Sequence, residues 1–147
     1  PCTCGEFELL ERLGQGGSGT VFRARQTTPP RFVAVKLLHA NASTESQNRR
    51  FELEIRALAR LDHPGIVRIY SAGVADIHGQ RTAFLTTELV EGESLYAYLE
   101  RRRPSLTERL KLWIQLCEIV DYAHRRGVIH RDLKPANLLF CEDEHGT

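Results

Sequence analysis

Glycines at 14, 16, 17 and 19 interrupt a run that otherwise alternates like β-structure, and no other feature narrows the possible folds as sharply. Phe7, Leu9 and Leu10 lead into Gly14-Gln15-Gly16-Gly17-Ser18-Gly19, and Val21, Phe22 and Ala24 follow it. A glycine turn of this type can open a helix, as in a dinucleotide-binding unit, or it can join two strands. Val21-Phe22-Arg23-Ala24 reads as a strand, which favours the second arrangement. A strand–glycine loop–strand can lay its backbone over the phosphates of a nucleotide with no side chain in the way.

Pro29-Pro30 marks a turn, and Phe32, Val33, Val35 and Leu37 supply the next strand. That strand carries one inward lysine, Lys36, in Val33-Ala34-Val35-Lys36. Burying an ammonium requires a partner. Glu54, on a helix expected to start near Thr44 and Gln47 and to run to about residue 61, is the best-placed carboxylate, with Glu52 as the alternative. A strand-edge lysine that snorkels to solvent satisfies the same pattern. Phe51, Ile55 and Leu58 recur at helical spacing, and Asp62-His63-Pro64-Gly65 stops the helix.

Further along, strands are predicted over 66–74 and 82–90, joined through Asp76-Ile77-His78-Gly79. Gly92 precedes a short helix over 94–102. A longer helix follows Pro104, with Ser105 and Glu108 spaced as a capping box and Gly127 as its C′ residue. Leu106, Leu110, Trp113, Cys117 and Val120 form one apolar stripe, widened by Leu112, Leu116 and Ile119, so burial on more than one side is expected.

His130-Arg131-Asp132-Leu133-Lys134-Pro135-Ala136-Asn137 closes the reading. This string resembles the catalytic loop of the protein kinase family. The glycine loop and Val33-Ala34-Val35-Lys36 stand in the family's order, and the resemblance extends from about Phe7 to the end of the chain. It implies an α+β, protein-kinase-like fold. A β-rich N-lobe with one helix would span about 7–90, the first helices and catalytic loop of an α-helical C-lobe about 91–147, and residues 1–6 would be the tail of an upstream segment. Asp-Leu-Lys-Pro-x-Asn is similar to the Ser/Thr branch, and the Arg12-Leu13-Gly14-Gln15-Gly16-Gly17 wording is most like the eukaryotic-like Ser/Thr kinases of bacteria.

The resemblance also implies roles. ATP and Mg2+ are the expected cofactors, with Gly14, Gly16 and Gly19 over the phosphates and Val21, Ala34 and Leu139 around the adenine. Thr87-Glu88-Leu89-Val90-Glu91-Gly92 resembles the interlobe hinge, with the backbone of Glu88 and Val90 bonding adenine and Thr87 at the gatekeeper position. Lys36, held by Glu54, would grip the α- and β-phosphates, and Asp132 would orient the acceptor hydroxyl and take its proton. Lys134 would offset charge on the moving phosphoryl group, and Asn137 would bind one magnesium ion. Leu58, Ile69 and His130 resemble members of the family's hydrophobic column.

No Asp-Phe-Gly occurs in these 147 residues, and there is no Met, so truncation at both ends is expected, with the isolated chain inactive and its long helix prone to aggregation or dimerisation. A formal net charge of +1 gives no nucleic-acid footprint, and no apolar run is long enough to cross a bilayer. Cys2, Cys4, Cys117 and Cys141 offer no zinc spacing and read as reduced thiols of a cytoplasmic domain. The partners implied are proteins with Ser or Thr acceptors, with dimerisation of the parent left open. Two other readings remain: a non-catalytic ATP-binding pseudokinase or scaffold, and a small-molecule phosphotransferase of the aminoglycoside-kinase type. Retention of Lys36, Glu54, Asp132 and Asn137 argues against the first, and Lys134-Pro135 with the regular glycine loop against the second.

Overall fold

The alternating residues at the front of the chain build a six-stranded antiparallel sheet with strand order β1-β2-β3-β4-β6-β5. The computed structural model describes residues 2–17, 19–38, 55, 58–130 and 133–141. The strands are β1 Cys2–Cys4, β2 Phe7–Gly16, β3 Gly19–Gln26, β4 Arg31–Leu38, β5 Ile69–Ile77 and β6 Gln80–Glu88. The chain divides into two compact units, Pro1–Leu89 and Val90–Thr147.

Period-two alternation assigns each side chain of the first unit to one face of the sheet. Phe7, Leu9, Ala24, Val33 and Val35 fall on one face and are buried with Cys4, and Phe22, Leu37 and Phe84 pack against them. The outermost strands β1 and β5 bring Cα atoms within 8 Å of each other, so the sheet curls around this core. Phe7 and Phe84 meet edge to face with centroids 5.8 Å apart. Val33 and Val35 are wholly enclosed, which removes about 1.5–3 kcal/mol worth of apolar surface from water for each side chain.

Residues 2–4 form strand β1 paired with β2, and Cys4 is fully buried. Two expectations are corrected in this unit. The second concerns where strand β5 starts, the first the hairpin that follows it. The second hairpin turns on His78 and Gly79 alone, since Ile77 already pairs with Gln80. Both turn residues have positive φ, 53° and 79°, the signature of a two-residue type I′ connection, and the Gly79 N–H donates to Asp76 Oδ1 at 2.8 Å. The strand predicted from residue 66 begins at Ile69, because the preceding turn uses those backbone groups. The Gly65 N–H donates to His63 Nδ1, and the Ile66 N–H donates to the His63 carbonyl. Of the helix predicted to end near 61, only Ile55 and Leu58 onward are described. Ile55 is buried and its carbonyl accepts from Ala59 N–H, while Thr44, Gln47 and Phe51 lie outside the described residues.

In the second unit, β7 Glu93–Ser94 pairs with β8 Leu139–Phe140 beside helix α1, Leu95–Arg102, and helix α2 runs over Leu106–Arg125. Ser94 caps α1 by accepting from the Ala97 N–H, and Arg103 ends it in the left-handed region. The Ser105–Glu108 capping box is formed in both directions, and Gly127 follows α2 with φ 76°. Helix α2 buries none of its residues: Leu106, Leu110, Trp113 and Ile114 are all more than half exposed. Among the described residues, then, that apolar stripe is left largely exposed.

Candidate functional site

Directly opposed residues in an antiparallel pair share a face, so the register alone assembles the site in the first unit. Val21 lies opposite Lys36, Arg23 opposite Ala34, Ala34 opposite Thr87, and Lys36 opposite Leu85. Val21, Ala34, Lys36 and Thr87 therefore occupy one face, the one turned away from the Phe7–Val35 core. Each is half-buried. Arg23 and Leu85 share this face without being nominated by the family resemblance. The pairs Val21-x-Arg23 and Leu85-x-Thr87, two residues apart on strands, were the available signal. Arg23 stacks over Phe32 at 4.5 Å.

The glycine hairpin closes at Gly16 opposite Gly19, with Gly14 opposite Val21. Packing explains one of these glycines and not the others. A Cβ on Gly19 would lie 2.2 Å from the Leu37 carbonyl oxygen, which only glycine avoids. A Cβ on Gly14, Gly16 or Gly17 would meet nothing within 4 Å. A side chain at any of these three positions would thus point into open space.

Thr87 donates its hydroxyl to the carbonyl of Glu88 at 3.1 Å. Glu88 lies opposite Val33 and so belongs to the core face. Its N–H donates to the Arg68 carbonyl at 2.9 Å, and its Oε1 accepts from the Arg68 N–H at 2.7 Å. Ile69 and Leu58 are half-buried.

In the second unit, Pro135–Asn137 forms a single 3-10 turn. Lys134 precedes it in extended backbone, and the Asn137 N–H donates to the Lys134 carbonyl at 2.9 Å. The turn is anchored where the Leu95 N–H donates to Leu138 O at 2.8 Å and where Tyr98 stacks on Phe140 at 3.7 Å. Gly92 allows this approach, because a Cβ there would stand 2.7 Å from Phe140 O. The hydrogen bond from Arg101 holds the Glu93 carboxyl below the usual carboxylate range at the other end of β7. Lys134, Asn137, Leu139 and His130 are exposed and Val90 is half-buried. Glu54, Glu52, Arg131 and Asp132 lie outside the described residues. Among the described residues no three His, Cys, Asp or Glu side chains converge as a metal site, and no helix is long and apolar enough to cross a membrane.

A protein kinase domain family matches residues 7–146. A probable serine/threonine-protein kinase of Streptomyces coelicolor is 38% identical over 141 residues, which cover 95% of this chain and 21% of the relative. Serine/threonine-protein kinase pkn2 of Myxococcus xanthus is 38% identical over 97% of this chain and 17% of its own length. PknA of Mycobacterium tuberculosis is 38% identical over 92% and 32% respectively. The crystal structure of the M. tuberculosis PknI kinase domain matches with a TM-score of 0.76 at 29% identity, over 93% of this chain and 55% of the solved one. The chain thus spans a third or less of these curated relatives and about half of the solved domain. By the family match across nearly its whole length, this chain belongs to the protein kinase domain family.

Proposed function

We propose that the natural protein carrying this chain is a serine/threonine protein kinase, moving the γ-phosphoryl group of ATP to protein hydroxyls in the cytoplasm. The observation that carries the reading is the face holding Val21, Ala34, Lys36 and Thr87 beside a glycine hairpin whose Gly14 and Gly16 no packing contact demands. Backbone that carries no side chain suits close approach by phosphate oxygens. Val21 and Ala34 offer apolar surface for a purine ring. The backbone of Glu88 would bond its edge. Lys36, two residues beyond Ala34 on the same face, would hold the α- and β-phosphates, with Glu54 proposed as its carboxylate partner.

Asn137 presents a neutral oxygen from an exposed turn, which suits a hard cation that keeps several waters and takes few protein ligands. Bound Mg2+ would supply charge neutralisation at the phosphates. Asp132 would orient the acceptor hydroxyl and take its proton, and Lys134 would offset the negative charge that develops on the transferring group. Positioning and electrostatics carry such a reaction, so little covalent chemistry is asked of the side chains.

The test uses the natural protein, labelled ATP with Mg2+, and peptides offering Ser, Thr or Tyr acceptors. Label should enter Ser and Thr, and Asp132→Asn should cut the rate about a hundredfold or more. Label on tyrosine or on an aminoglycoside, or an Asp132→Asn rate equal to wild type, would overturn the assignment.

A further inference from the structure

The last residue of β6 does more than contribute backbone. Strand β5 begins at Ile69, opposite Thr87, and is irregular between Ile69 and Ser71, so residue 68 lies beyond the regular ladder. Glu88 nevertheless satisfies both backbone groups of Arg68: its N–H donates to the carbonyl at 2.9 Å, and its carboxylate accepts from the N–H at 2.7 Å. The carboxylate therefore acts as a substitute strand partner. Its side chain belongs to the core face, opposite Val33, while Ala34 and Thr87 belong to the other.

Fixing the amide and the side chain of Glu88 to one residue restricts rotation of the backbone that carries the Glu88 carbonyl. That carbonyl accepts from Thr87 Oγ1 at 3.1 Å and retains a second lone pair. We propose that the Glu88 carboxylate is a positioning group for base selection: its grip on Arg68 aims the Glu88 carbonyl, which accepts from the exocyclic amino group of adenine. The proposal rests on the nucleotide reading above and adds to it the side chain that sets the preference for a 6-amino purine. An acceptor held in a fixed direction rewards a matching donor, whereas a swinging one loses most of that advantage.

The experiment compares ATP with purine riboside triphosphate, which lacks the 6-amino group, in binding to the natural protein. Wild type should prefer ATP. Glu88→Ala should reduce that preference about fivefold, by weakening ATP and leaving the purine analogue unchanged. Glu88→Gln keeps an oxygen acceptor for the Arg68 N–H and should retain the preference. Should Glu88→Ala not fold, Glu88→Asp, which withdraws the acceptor by one methylene, supplies the same comparison. Equal weakening of both nucleotides would mark a merely structural side chain and overturn the proposal, as would no change in either. Wild type that binds neither nucleotide would remove the nucleotide reading itself, and that result is visible before any substitution is made.

Discussion

Replacing Gly19 with alanine separates what the glycine hairpin needs for folding from what it needs for a ligand. The added Cβ would lie 2.2 Å from the Leu37 carbonyl oxygen and 3.1 Å from its carbon, both backbone atoms of the neighbouring strand. No rotamer change relieves a backbone contact, so β3 and β4 must part by about 1 Å to reach ordinary van der Waals separation. Overpacking of this type costs about 1–3 kcal/mol, and loss of one ladder hydrogen bond adds about 1 kcal/mol. The expected destabilisation is about 2–4 kcal/mol, which lowers Tm by on the order of 10 °C in a unit of this size. Gly16→Ala is the control, because its Cβ meets nothing within 4 Å. It should leave stability within about 0.5 kcal/mol of wild type while weakening nucleotide binding. Chemical denaturation of both variants, with nucleotide titration alongside, reads the two effects separately. A Gly19→Ala variant that unfolds at the wild-type midpoint would refute the steric reasoning.

Thr86 is wholly buried and its hydroxyl has no hydrogen-bond partner among the described residues, so Thr86→Val should stabilise the protein by about 1 kcal/mol. A lower denaturation midpoint would show that the hydroxyl is bonded after all. Glu108, whose carboxyl accepts from the Ser105 hydroxyl and backbone N–H, is held below its ordinary value of 4.5. A lowered folded-state value means that its contribution is present above pH 4.5 and is lost as pH falls through the folded-state value. Glu108→Ala should therefore destabilise α2 at pH 7 and become indistinguishable from wild type in strong acid, as followed by circular dichroism. A difference that persists undiminished in acid would count against the capping box.

The two-layer logic of the sheet was legible in the sequence because a strand writes its two faces at alternate positions. Val33 and Val35 against Ala34 and Lys36 is one such line, and it fixes the core and the candidate site together. Helix ends were equally plain, since Ser105 and Glu108 are chemically specific to the groups they satisfy. The connection between β5 and β6 was drawn two residues too long because Asp76 is a common turn residue, while its register here is set by pairing. Cys4 was missed for a related reason: a three-residue strand shows too little alternation to be read, and its burial comes from a strand distant in sequence.

Glu88 marks where such reading ends. A lysine inside an apolar strand or a glycine cluster between strands is conspicuous, because the residue type conflicts with its surroundings. A glutamate at the end of a strand conflicts with nothing, and its partner is a backbone N–H, which every residue except proline carries. No side-chain type at position 68 could have announced the contact. Residues that touch a ligand are visible through what they are, while a residue that aims the backbone is visible only through where the chain returns. The β5–β6 hairpin makes that return, bringing Arg68 to Glu88 across twenty positions of sequence. The base preference proposed for Glu88 is accordingly a property of the hairpin register, and a variant that shifts the register should change it without altering any residue of the Val21–Lys36 face.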